Sequence, residues 1–233
     1  MRPIKFELDF LEQPTGSVLV SFGKTKVLCT TMIEEGVPKF ITDENSAWLT
    51  AEYAMLPGST LVRKQRRKVG GELDGRSIEI GRLIGRALRA SIDLENLGNF
   101  TIYIDCDVVQ ADGGTRTAAI SGAFLALRVA IQKLMLEGVI KENPIERQVA
   151  ACSVGIVDGE PTLDLCFHED ARAEVDMNVV MDDKGNFIEV QGSSEKKVFS
   201  REQLNELLDL AAKGNQAILE EQERVFNEVY LCY

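Results

Sequence analysis

The chain has 233 residues, 45% of them hydrophobic, with a net charge of −11 and a single histidine. That apolar content supports one substantial core, and no apolar run is read as long enough to span a membrane. A lone His168 excludes a two-histidine metal site within one chain, and any Ser-His-Asp or Cys-His site would have to use it. The opening Met1–Glu7 stretch lacks the apolar segment and small-residue cleavage site of a signal peptide. A cytoplasmic protein with no membrane partner is the expectation. The five cysteines, Cys29, Cys106, Cys152, Cys166 and Cys232, are odd in number and form no CxxC, which favours free thiols in a reducing compartment.

In chain order, Ile4, Phe6, Leu8 and Phe10 alternate with charged residues and predict a half-buried strand. Ser17–Phe22 and Thr25–Met32 flank Gly23-Lys24 and predict a hairpin. Trp48–Met55 predicts a strand, and Pro57–Gly75 a polar loop rich in Arg, Lys and Gly. Ile78–Ile92 predicts a helix buried through Ile80, Leu83, Ile84, Ala87 and Leu88, with Arg82, Arg86 and Arg89 striping the opposite face. Phe100–Val109 follows as a strand, then a nearly all-apolar and therefore buried helix from about Thr117 to Glu137, ended by Gly138 and Pro144. Val149–Val157 and Thr162–Phe167 flank the turn Asp158–Pro161. Glu174–Met181 and Phe187–Gln191 flank Asp182–Asn186. A last helix starts at the N-cap Ser200 and runs to about Val229. Strands then a helix, twice, indicate an α+β fold with two similar halves, 1–145 and 146–226, and an apolar tail over 227–233.

Four constellations carry chemistry. In Ala111-Asp112-Gly113-Gly114-Thr115-Arg116-Thr117, two glycines precede hydroxyls, a guanidinium and a helix start, which together form an anion site of phosphate type. A helix N-cap after a turn explains the glycines equally well. Arg116 does not fit that explanation, because a cation there opposes the macrodipole. Asp74-Gly75-Arg76-Ser77 places a second guanidinium where loop turns to helix, either reaching for phosphate or paired with Asp74. Glu169–Asn178, if extended, puts Asp170, Arg172, Glu174, Asp176 and Asn178 on one face. Asp170 and Asp176 then hold one Mg2+ between them, or simply decorate a solvent-facing edge. His168 beside them reads as an ordinary loop histidine. Finally, Arg63–Arg89 holds nine basic against three acidic residues, a segment charge of +6 that leaves −17 elsewhere. Such a polarised charge steers a polyanion to one place. Its loop residues Arg63, Lys64, Arg66, Arg67 and Lys68 suit sequence-blind grip on a single-stranded backbone, with no interleaved aromatics for base stacking.

Six blocks together resemble the ribonuclease PH family: GSVLVSFGKTKVLC (16–29), LTAEYAMLP (49–57), GRSIEIGRLIGRALR (75–89), IDCDVVQADGGTRTAA (104–119), VGIVDGEPTLDL (154–165) and EDARAEVDMNVV (169–180). The resemblance runs from about Arg2 to about Arg224. It implies a ribosomal protein S5 domain 2-like α+β fold, a homo-hexameric ring built as a trimer of dimers, and a phosphate-dependent 3′-to-5′ exoribonuclease. Such an enzyme trims tRNA precursors and releases nucleoside 5′-diphosphates. By motif position it implies that Arg76, Gly114, Thr115 and Arg116 hold the attacking inorganic phosphate. Asp170 and Asp176 serve Mg2+ (or Mn2+) and the leaving group, and Arg63, Arg66 and Arg67 guide RNA. The loop acids Glu72 and Asp74 and the ending Asn227–Tyr233 depart from the family pattern. Two other classes remain to be weighed: a non-catalytic RNA-binding ring subunit, and a hydrolytic nuclease, which needs a larger carboxylate cluster for two metals.

Overall fold

The protein is described by a computed structural model covering residues 1–42, 46–65 and 74–231. The first sheet is entered by β1 (Ile4–Leu8), antiparallel to β2 (Gly16–Phe22), which turns at Gly23-Lys24 into β3 (Thr25–Glu35). Next to β3 lies the antiparallel β5 (Phe100–Gln110), and β5 pairs in parallel with β4 (Trp48–Met55), giving the order β1-β2-β3-β5-β4. A parallel pair needs a crossover. It is supplied by the loop after β4 and by α1 (Gly75–Arg89), which packs on β4.

The second sheet is antiparallel throughout, in the order β7-β6-β8-β9, from β6 (Val149–Val157), β7 (Glu160–Leu163), β8 (Val175–Asp182) and β9 (Phe187–Ser194). Between the sheets lies α2 (Thr115–Leu136), packed on β2 and β3 on one side and on β6 on the other. A one-turn helix α3 (Phe167–Asp170) joins β7 to β8. The long α4 (Arg201–Tyr230) covers β6 and β7 and reaches β1. The architecture is α+β with a helix-backed sheet in each half.

The sandwiched position explains the composition of α2. With sheet on both sides it has no solvent face over most of its length, and its residues from Thr117 to Leu127 are all buried. By length and composition α2 is one helix apolar enough to cross a membrane, contrary to the sequence expectation. However, 67% of that stretch is buried inside the fold, as in a core helix. A continuous buried cluster runs from Val20 and Phe22 through Phe124 and Leu127 to Val154 and Ile218, so both halves share one core. Phe124 is fully buried in it, and truncating it to alanine costs about 3–5 kcal/mol.

Several elements differ from the sequence reading. α1 begins a turn earlier than Ile78, because Asp74 caps it by accepting from the Arg76 backbone N–H at 3.4 Å. Arg89 does not continue the solvent stripe of Arg82 and Arg86. Its guanidinium lies over the Trp48 ring and donates to the Leu49 carbonyl at 3.0 Å. The turn after β6 is only Asp158-Gly159, β7 is four residues long, and Phe167 is helical rather than extended. The described part of the apolar ending is helical up to Tyr230. Asn227–Tyr230 complete α4, and the Tyr230 hydroxyl donates to Asp9 at 2.6 Å. Cys29, Cys106 and Cys152 are buried free thiols and Cys166 is a half-buried one, while Cys232 lies outside the described residues.

Candidate active site

The chain leaves β5 through Ala111-Asp112 and enters two consecutive left-handed residues, Gly113 (φ 76°) and Gly114 (φ 61°). Glycine is required here on two counts. A side chain disfavours that backbone region, and a Cβ on Gly113 would sit 2.3 Å from the Leu165 carbonyl oxygen. Gly114 is the N-cap of α2 and supplies no side-chain cap, so the first-turn amides of α2 keep their capacity to bind an anion. This backbone geometry starts α2 at Thr115, two residues before its apolar pattern does. The Thr25 hydroxyl fixes the turn, donating to the Gly113 carbonyl at 2.6 Å and accepting from Asp112 N–H at 2.9 Å.

The second sheet builds the facing wall. In β8, Asp176 pairs with Gly155 on β6 and Ser193 on β9, while Asn178 pairs with Ser153 and Gln191. Directly opposed residues share a sheet face, so Ser153, Asp176, Asn178, Gln191 and Ser193 form one polar patch. Asp170 does not join it along an extended strand. The single extended face over Asp170–Asn178 fails because residues 167–170 coil into α3 and β8 starts only at Val175. α3 nonetheless delivers Asp170 to the same place from the side.

One cavity of about 480 Å3 collects the result. Arg76, Gly114, Thr115, Arg116, Asp170 and Asp176 all line it. It opens beyond the C-terminal ends of the parallel pair β4 and β5, bordered by Met55 and Ala111. Asp74 is engaged with the α1 backbone, and the Arg76 guanidinium makes no ion pair among the described residues. Among the described residues Arg116 makes only long polar contacts, 3.6 Å to Glu79 on α1 and 3.4 Å to Gln191 on β9. Burial pushes the Asp176 carboxyl up to about 6, and the nearby Asp170 adds to that, with Arg116 and Arg76 pulling the other way. Partial burial also raises Asp170, again opposed by Arg76 and Arg116. Neither carboxylate has a hydrogen bond or ion pair to a described side chain.

Of the loop cations, Lys64 lines the cavity and Arg63 is exposed outside it. Arg66, Arg67 and Lys68 lie outside the described residues. His168 is exposed, sets its ring edge-to-face with that of Phe167, and does not line the cavity. The sequence reading missed Tyr53, whose buried hydroxyl lies 2.8 Å from that of Thr115. It also missed Phe167, an exposed aromatic at the cavity wall, and Arg2, which holds the glycine turn from behind. Tyr53 had a usable signal, since strand alternation puts it on the same face as Leu49 and a buried tyrosine hydroxyl needs a partner.

Comparison with known proteins bears on the family and the fold. Models of the 3′ exoribonuclease family match at domain 1 over residues 1–131 and at domain 2 over residues 147–214. Ribonuclease PH of Bacillus pumilus is 55% identical over 230 residues, covering 98% of this chain and 95% of that protein. Ribonuclease PH of Corynebacterium efficiens is 54% identical over 223 residues, covering 96% and 91%. Among solved structures, rice (Oryza sativa) Rrp46 superposes with a TM-score of 0.77 at 20% identity over 96% of this chain and 94% of that one. The Archaeoglobus fulgidus exosome with RNA bound to the active site gives 0.77 at 20% identity, over 94% and 88%. The chain belongs to the 3′ exoribonuclease family, in its ribonuclease PH branch.

Proposed function

We propose that this chain is a phosphate-dependent 3′-to-5′ exoribonuclease that trims tRNA 3′ ends in the cytoplasm as a homo-hexameric ring, a trimer of dimers. The observation that carries the site assignment is the two-walled cavity. Its phosphate wall is made of Arg76, Thr115, Arg116 and the uncapped start of α2, and its carboxylate wall of Asp170 and Asp176. In this reading residues 1–145 supply the first wall and residues 146–226 the second, within one functional unit.

Inorganic phosphate is anionic at neutral pH, so the attacking group needs no imidazole base. The obstacle is repulsion between phosphate and the RNA diester. Arg76 and Arg116 offset it and orient the nucleophile, and α2 amides and the Thr115 hydroxyl add donors in fixed directions. A phosphate oxygen attacks the phosphorus of the terminal nucleotide. The P–O3′ bond to the preceding nucleotide breaks, its electron pair stays on O3′, and O3′ gains a proton. The product is a nucleoside 5′-diphosphate. Lys64 and the basic loop with Arg63, Arg66 and Arg67 draw the RNA backbone to the cavity mouth.

Two carboxylates in one cavity lining, without a partner among the described side chains and both raised above the ordinary aspartate range, match what a divalent cation relieves. The described residues contain no cluster of three or more ligating side chains. A carboxylate pair suits Mg2+ or Mn2+, which uses one or two carboxylates and completes its shell with water and substrate phosphate. When bound, the ion supplies positive charge to the phosphates and the leaving oxygen.

The test is to incubate the protein with RNA bearing a free 3′ end, with and without phosphate, and identify the products. Nucleoside diphosphates formed only with phosphate support the reading. Monophosphates mean hydrolysis, and no product means a binding subunit.

A further inference from the structure

We infer that Arg2 and Asp164 are positioning residues for phosphorolysis, joined in an ion pair that fixes the glycine turn of the phosphate wall against the segment carrying Asp170. This inference rests on the phosphate-site reading of the cavity. Arg2 engages Asp164 three times: through its backbone N–H at 2.9 Å, its Nε at 3.0 Å and its Nη2 at 2.6 Å. The remaining arm of the same guanidinium, Nη1, donates to the carbonyl of Asp112, the residue before Gly113. The Asp164 side chain is only 2% exposed and that of Arg2 16%. One planar fork thus spans the two halves of the chain.

Asp164 is itself held in place. It adopts a left-handed conformation (φ 59°), and its N–H donates to the Ser153 carbonyl at 2.7 Å. The next residue, Leu165, donates to the Ser153 hydroxyl at 3.1 Å, and Ser153 lines the cavity. Three residues on, the Phe167 N–H that opens α3 donates back to the Asp112 carboxylate at 3.4 Å. Asp112 therefore takes one bond from Arg2 and one from the helix that ends at Asp170. Neither Arg2 nor Asp164 lines the cavity, so both act through the groups they hold.

The chemical consequence is a fixed separation between the phosphate donors and the carboxylates. In-line attack is sensitive to misplacement of about 1 Å, which can cost roughly 100-fold. Lysine keeps the charge of Arg2 but not the fork that reaches Asp164 and Asp112 together.

The test compares Arg2→Lys, Arg2→Ala and the isosteric Asp164→Asn with the unaltered protein, varying phosphate and RNA separately and recording thermal melting. The expected result is a fall in kcat/KM for phosphate of roughly 10- to 100-fold with an unchanged RNA dissociation constant. Millimolar guanidinium should partly rescue Arg2→Ala. If Arg2→Ala does not fold, Arg2→Lys and Asp164→Asn carry the test. A lowered melting temperature with an unchanged kcat/KM for phosphate in those variants would overturn the inference. An unaltered protein that shortens RNA without phosphate would instead overturn the phosphate-site reading itself.

Discussion

The Tyr53 hydroxyl lies 2.8 Å from the Thr115 hydroxyl, and both side chains are buried beside the cavity that Thr115 lines. A hydroxyl so engaged presents its remaining hydrogen-bonding capacity in a fixed direction. Tyr53→Phe removes the partner and leaves a buried polar atom unmatched, a loss of about 1–3 kcal/mol. The expected outcome is a several-fold higher KM for phosphate with RNA affinity intact, measured by initial rates at varied phosphate. An unchanged phosphate KM would detach Tyr53 from the site.

Arg116 and Arg63 are both cations, but only Arg116 lines the cavity. Arg116→Ala is expected to abolish phosphorolysis, a fall of at least about 10³-fold, while RNA still binds. Arg63→Ala is expected to weaken RNA binding modestly and to lessen its salt dependence, leaving turnover at saturating RNA near normal. Filter binding and product release on the same preparations separate the two, and equal losses in both variants would count against the assignment.

Asp176 sets a pH signature in stability. Its carboxyl is held at about 6 in the folded protein against an ordinary value of 3.8, so the folded state resists ionisation. Ionised Asp176 is therefore a full burden above pH 6, and the burden disappears as pH falls toward 4 and the folded form takes up its proton. In chelator, Asp176→Asn should melt at a higher temperature than the unaltered protein at pH 8 and at an equal one near pH 4. Added Mg2+ should stabilise the unaltered protein and not the variant. Scanning calorimetry across pH reads both, and a variant less stable at pH 8 in chelator contradicts the account.

The sequence revealed a good deal of this arrangement. Strand alternation and turn residues located β1 to β6, and the nearly all-apolar composition of α2 foretold its burial. Ser200 marked the start of α4, and its capping box with Gln203 is formed. What escaped was decided by tertiary contacts. Phe167 read as a strand end, His168 as a loop residue and Asp170 as the start of a possible extended face, because no period is visible in four residues, yet 167–170 coil with Glu169 accepting from the Cys166 N–H at 2.8 Å. Arg89 read as part of a solvent stripe because its aromatic partner, Trp48, lies 41 positions away in sequence. Of the candidate site, the side chains with unusual chemistry in context were visible: two guanidinium groups at helix starts and two close acids. Their supports, Tyr53, Arg2 and Asp164, were not, because each looks ordinary until its distant partner is known.

The most direct measurement of the central claim follows the fate of phosphate. RNA with a free 3′ end is incubated with isotopically labelled inorganic phosphate and the released nucleotides are analysed. The account requires the label in the β-phosphate of nucleoside diphosphates, and its loss in Arg76→Ala and Arg116→Ala. Shortened RNA accompanied by unlabelled nucleoside monophosphates, with all label still in inorganic phosphate, would contradict it.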